Sequence, residues 1–247
     1  MSNPAPTVTV DVRVPGNWGS PKEMFEGIPD GYELVDDSLI LPDGTRIDIG
    51  VMKADDRFAK IFRSSLRQPA NDAELEVVDN YVANVLLSGP GGSLDAARKV
   101  MEAAGAIVKA GGAGVFIDNS GLSHGGEDWL VMTEDGSPDA LSFAFVGIVR
   151  GDREVWTMGM HVLGLREILM KRDDIELGGF DIIEVIRYLS RGEKPIEDNH
   201  IIADEDATPR FQVRFEPSPQ DRMAGTVMHN PFGRMRLVSL QDIAETN

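Results

Sequence analysis

The chain contains no cysteine, which excludes disulfides, thiolate nucleophiles and thiolate metal ligands together. Histidine is scarce, with four residues in 247, so imidazole metal sites and acid–base pairs have few positions to draw on. No apolar run approaches the roughly 20 residues that span a bilayer. The first residues, Met1-Ser-Asn-Pro-Ala-Pro-Thr7, have neither the basic region nor the apolar stretch of a secretory signal. Positive charge is also short: 24 Lys and Arg face 41 Asp and Glu, for a net −17 and a pI near 4.6. A field of that sign repels nucleic acid and anionic membranes and attracts a basic protein or a cation. We therefore expect a cytoplasmic protein of bacterial type that binds no nucleic acid and no membrane and can take a protein partner.

What is present is ordinary for a globular chain: 42% hydrophobic and 26% charged residues. A chain this long buries roughly three quarters of its unfolded surface and needs no staple. Residues 1–32 hold five prolines and one alternating run, Thr7–Val14, so they read as an irregular segment with one strand. Ser38–Leu41 and Thr45–Met52 flank Asp43-Gly44, a hairpin signal. Asp55 can cap a helix to about Leu66 with Phe58, Ile61, Phe62 and Ser65 on one face, and Gln68–Asp72 reads as loop.

The middle of the chain is the most regular part. Tyr81–Ser88 reads as a strand, Gly89-Pro-Gly-Gly92 breaks it, and Ser93 caps a helix that ends at Gly111-Gly112. Leu94, Ala97, Met101, Ala104 and Val108 follow the rhythm of a buried helical face. Val115–Asp118 is again strand-like. Leu141–Val149 and Glu154–Met158 flank Arg150–Arg153 as a second hairpin. Trp156–Glu167, punctuated by Gly159 and Gly164, reads as a corner from strand into helix. Phe180–Leu189 is an amphipathic helix closed by Gly192, and Phe211–Phe215 and Arg234–Val238 are late strands. The pattern predicts an α+β fold: a mainly antiparallel or mixed sheet with two or three helices packed on it, in one domain over residues 1–247 with its core between 49 and 215.

Motifs that could carry chemistry are few. Gly89–Ser93 lacks the Lys-Ser/Thr pair of a phosphate loop, since Leu94 and Asp95 follow, and a tight turn with a serine cap explains it. Gly121-Leu-Ser123-His124-Gly125 matches the nucleophile elbow of serine hydrolases, which needs a strand, a sharp turn and a helix. The stretch after it, Gly126–Met132, shows no long helical face. His124 near Glu127 and Asp128, and His200 near Glu197, Asp198 and Asp204, lack the spacing of metal ligands. The acidic loop Glu197–Asp206 lacks the pattern of a calcium loop. No metal and no cofactor are expected. His161 and Glu167 bracket the glycine corner and could face a cleft. The candidate catalytic residues are thus Ser123, His124, His161 and Glu167.

Thr157-Met-Gly-Met-His-Val-Leu-Gly-Leu-Arg-Glu167 fits the pattern T-x-G-(L/M)-x-x-(F/L)-G-x-x-E. With the strand–helix–strand before it, the loop Ser120–His124 and the bend Gly192–Asn199, it resembles a bacterial family defined only as a domain of unknown function. The resemblance spans about Ile49 to Phe215, with departures at Leu163 and Arg166, where the family often has an aromatic residue and proline. It implies a single α+β domain and carries over no catalytic role. The function expected is non-enzymatic protein binding or regulation; the alternative is a serine-type hydrolase using the Gly121-Ser123-Gly125 loop.

Overall fold

A computed structural model describes residues 6–176, 181–192, 194–202, 210–219 and 223–246. The chain is α+β, with two sheets. The first holds β1 (Thr9–Gly16), β2 (Glu33–Val35), β3 (Ser38–Ile40), β4 (Arg46–Lys53), β5 (Ala83–Pro90), β6 (Gly114–Ile117) and β7 (Leu122–Gly125). Its order is β2-β3-β4-β5-β1-β6-β7, antiparallel throughout. The second holds β8 (Gly147–Arg150), β9 (Glu154–Met158), β10 (Glu167–Lys171), β11 (Ile201–Ile202), β12 (Phe211–Glu216) and β13 (Arg234–Ser239). Its order is β11-β12-β13-β10-β9-β8, mixed because β10 and β13 run parallel.

The helices are α1 (Pro21–Glu26), α2 (Phe58–Ser64), α3 (Asp72–Asp79), α4 (Leu94–Lys109), α5 (Gly126–Asp135), α6 (Pro138–Phe145), α7 (Arg172–Glu176), α8 (Ile182–Arg191) and α9 (Leu240–Thr246), with a 3-10 turn at Met160–Leu163. Helix α4 positions everything else. Ser93 caps it by accepting from the Ala96 amide at 3.1 Å. Its small, apolar face lets it lie on β5 and β1, where Val10, Val12, Val14, Val85 and Leu87 alternate inward. The other side of α4 meets α5, α6 and the 3-10 turn. Most buried apolar side chains form one cluster from Val10 to Leu237, drawing on both sheets, and Phe58, Phe62, Val78, Tyr81, Ala113 and Phe116 form a second, smaller one.

Several sequence expectations need correction. Helices outnumber the two or three expected. Residues 1–32 contain α1 as well as a strand. Leu141–Phe145 is helical, because Ser137 caps and Pro138 starts α6 there, leaving only Gly147–Arg150 as strand. Asp72 opens α3 through a capping box between Asn71 and Glu74 rather than closing a loop. Gly126–Asp135 is helical despite its weak periodicity. Ile61 faces outward, while Phe58 and Phe62 are buried. The Phe180 start of the predicted helix and part of the Glu197–Asp206 loop lie outside the described residues; the helix itself is α8, capped by Asp181.

Candidate functional site

The nucleophile-elbow sequence folds as a hairpin strand. Ser123 lies in β7 opposite Phe116 and is fully buried. Its hydroxyl donates to the Phe62 carbonyl at 2.5 Å. Among the described residues, no histidine or carboxylate hydrogen-bonds to it. His124, next along the strand, packs its ring beside Trp129 and Phe143, and its Nε2 lies 3.0 Å from the Ala144 carbonyl, to which it donates. Burial pushes its pKa down to about 4, with the Arg67 cation adding to the effect. Its Nδ1 has no partner. Adjacent strand residues point to opposite faces, so Ser123 and His124 cannot work as a pair.

His161 and Glu167 do meet, in a geometry other than the predicted corner. β9 ends at Met158, the 3-10 turn follows, and Glu167 opens strand β10 rather than a helix. Both glycines have left-handed backbones, Gly159 with φ 102° and Gly164 with φ 80°. A β-carbon would meet the Phe145 carbonyl oxygen at 2.1 Å from Gly159 and the Gly92 carbonyl oxygen at 2.4 Å from Gly164. The tight turn folds His161 back toward Glu167.

The Glu167 carboxylate is enclosed by donors. Oε1 accepts from the Gly159 amide at 3.1 Å and from Asn230 Nδ2 at 3.0 Å, and Oε2 accepts from the Thr157 hydroxyl at 2.7 Å. Thr157 Oγ1 accepts in turn from the Ile168 amide at 2.8 Å, which leaves its hydrogen for Glu167. His161 Nδ1 stands 3.3 Å from Glu167 Oε1.

Hydrogen counting assigns the histidine. Asn119 has two amino hydrogens, and they go to Thr9 O and Val227 O, both at 2.9 Å, while its Oδ1 accepts from the Asp11 amide at 3.0 Å. It has no hydrogen left for His161 Nε2, 3.2 Å away. Nε2 therefore carries its own hydrogen and donates it to Val227 O at 2.8 Å. One hydrogen lies between Nδ1 and Glu167 Oε1. The ring is held on both sides, by an acid at Nδ1 and by a backbone carbonyl at Nε2.

Asn119, Thr157 and Asn230 were not singled out from the sequence. The T-x-G signature contains Thr157, but nothing local marks the asparagines, which arrive from 42 residues before His161 and 63 residues after Glu167. Among the described residues, no group of three His, Asp or Glu side chains could hold a metal, and no helix is long and apolar enough to cross a membrane. His200 is half-exposed on a loop, beside Glu197. In comparisons with family models, curated proteins and solved structures, nothing matches the chain.

Proposed function

We propose that this chain is a cytosolic binding domain with no chemistry of its own, which takes a protein partner. One observation carries the reading: Ser123, His124, His161 and Glu167 are all buried, and their hydrogen bonds run to other parts of the fold rather than outward. A group that must attack a substrate or exchange protons with it needs a free lone pair or hydrogen within reach of that substrate. Met52 and Val82 add a surface for a partner. They are 41% and 49% exposed, and they share a face because β4 pairs with β5 through Lys53 and Ala83. The net −17 favours a basic partner.

The test is site-specific photocrosslinking in cells. A crosslinker at Met52 or Val82 should give one discrete adduct, and the same group at the apolar and still more exposed Val131 should give none. Identical adducts at all three positions, or none at Met52 and Val82, would contradict the reading. So would covalent labelling of Ser123 by a fluorophosphonate accompanied by ester hydrolysis that Ser123→Ala abolishes.

A further inference from the structure

Residues Met223–Pro231 cross the junction where the Asn119 turn of the first sheet meets the 3-10 turn and β10 of the second. The segment forms no strand or helix, and Gly225 takes a left-handed φ of 81°. Its own short bonds, Thr226 amide to Met223 O and His229 amide to Thr226 O, are local. Between Ala224 and His229, among the described residues, the hydrogen bonds to the rest of the molecule both end on the Val227 carbonyl, from Asn119 and His161. Asn230 supplies the second anchor, donating to Glu167 Oε1 at 3.0 Å and Leu165 O at 2.9 Å.

Three open depressions border this strap. One, about 220 Å³, lies beside Thr157, Glu167 and Arg234, a second, about 300 Å³, beside Val8, Thr9 and His161, and a third, about 400 Å³, beside Asp11, Arg13 and Asp118. Ala224, Gly225 and Thr226 are exposed, and segments with few apolar contacts open locally at a fraction of the global unfolding free energy.

The floor beneath the strap is, in contrast, preorganised. Two donors, Asn119 Nδ2 and His161 Nε2, converge on one carbonyl. Two acceptors, Glu167 Oε1 and Leu165 O, take the two hydrogens of one carboxamide. We propose that this floor is a peptide-binding cleft, that Met223–Pro231 is its internal occupant, and that the ligand is a turn-forming segment presenting a backbone carbonyl and, three residues on, an Asn side chain. The cleft shares no residue with the Met52 and Val82 surface and does not depend on it. A tethered strap competes at high effective concentration, so a free peptide with the same contacts binds only when the strap is released.

Hydrogen exchange and peptide binding on the full chain test this. In the unaltered protein the amides of Met228 and His229 should exchange at least tenfold faster than those of Leu237 in β13. Protection equal to that of β13 would overturn the proposal. The variant Asn230→Ala removes one anchor on the strap side and leaves the floor intact. It should bind a synthetic peptide copying residues 224–232 at least tenfold more tightly than the unaltered protein does, with the peptide's own asparagine required. Equal affinity of both proteins, or of peptides with asparagine and alanine at that position, would overturn it. The exchange comparison stands by itself if the variant fails to fold.

Discussion

At Glu167 one carboxyl group gathers four partners: the Thr157 hydroxyl, the Gly159 amide, the Asn230 carboxamide and the His161 ring. Glu167→Gln keeps the shape but turns one oxygen into an amino group facing those partners. A loss of about 2–4 kcal/mol in a denaturant melt is expected, the scale for leaving buried polar groups mismatched. His161→Ala should cost a similar amount. Both side chains line depressions, as expected from the sequence, yet they are buried and hydrogen-bonded into the fold, so the changes should damage it. His124 gives a pH signature. Its folded pKa is about 4 against an ordinary 6.5, so below pH 6.5 the unfolded chain takes up a proton that the folded chain refuses. Stability is complete above pH 6.5 and falls progressively toward pH 4, by up to about 3 kcal/mol from this group. His124→Gln keeps a donor for Ala144 O and cannot titrate. Melts from pH 7 to pH 4 should show a shallower decline for that variant; an identical decline would mean that other groups govern the acid limb.

At the scale of elements, the turn between β9 and β10 depends on its glycines. Gly159→Ala and Gly164→Ala combine a left-handed backbone with a β-carbon within 2.4 Å of a carbonyl oxygen. Each should lose more than about 2 kcal/mol or fail to accumulate as soluble protein. Met101, fully buried on the inner face of α4, should cost about 2–5 kcal/mol on truncation to alanine. The glycines and α4 were legible because their causes are local: a capping serine, a 3.6-residue apolar rhythm, a backbone that only glycine adopts cheaply. The hairpin at Asp43-Gly44 and the strands Phe211–Glu216 and Arg234–Ser239 were legible for the same reason. Helix α6 misled because Leu141, Phe143 and Phe145 alternate like a strand, and the cap at Ser137 and Pro138 outweighs that alternation. The polar cluster was half legible. His161 and Glu167 stand six residues apart and share a turn, whereas Asn119 and Asn230 reach it only through tertiary packing. The elbow sequence failed for a related reason: five residues cannot show whether a strand continues through them.

Across the whole molecule, charge and the link between the sheets decide behaviour. With a net −17, self-repulsion is screened by salt, so the melting temperature should rise modestly as salt is added. Duplex DNA should not shift in a gel at micromolar protein; a shift, or a melting point that falls with salt, would contradict the role given to charge. The sheets are joined through polar groups as well as through α4. Asn119 stitches β1 and the turn after β6, Thr157 and Glu167 belong to β9 and β10, and His161 and Val227 connect the two sets. The central claim is that this cluster is a structural tie that acts as a unit. A double-mutant cycle on His161→Ala and Glu167→Gln, measured by equilibrium denaturation, tests it most directly. The account predicts that the double variant loses less than the sum of the single losses, with a coupling of about 1–3 kcal/mol. Strictly additive losses, or two single variants as stable as the parent, would contradict it.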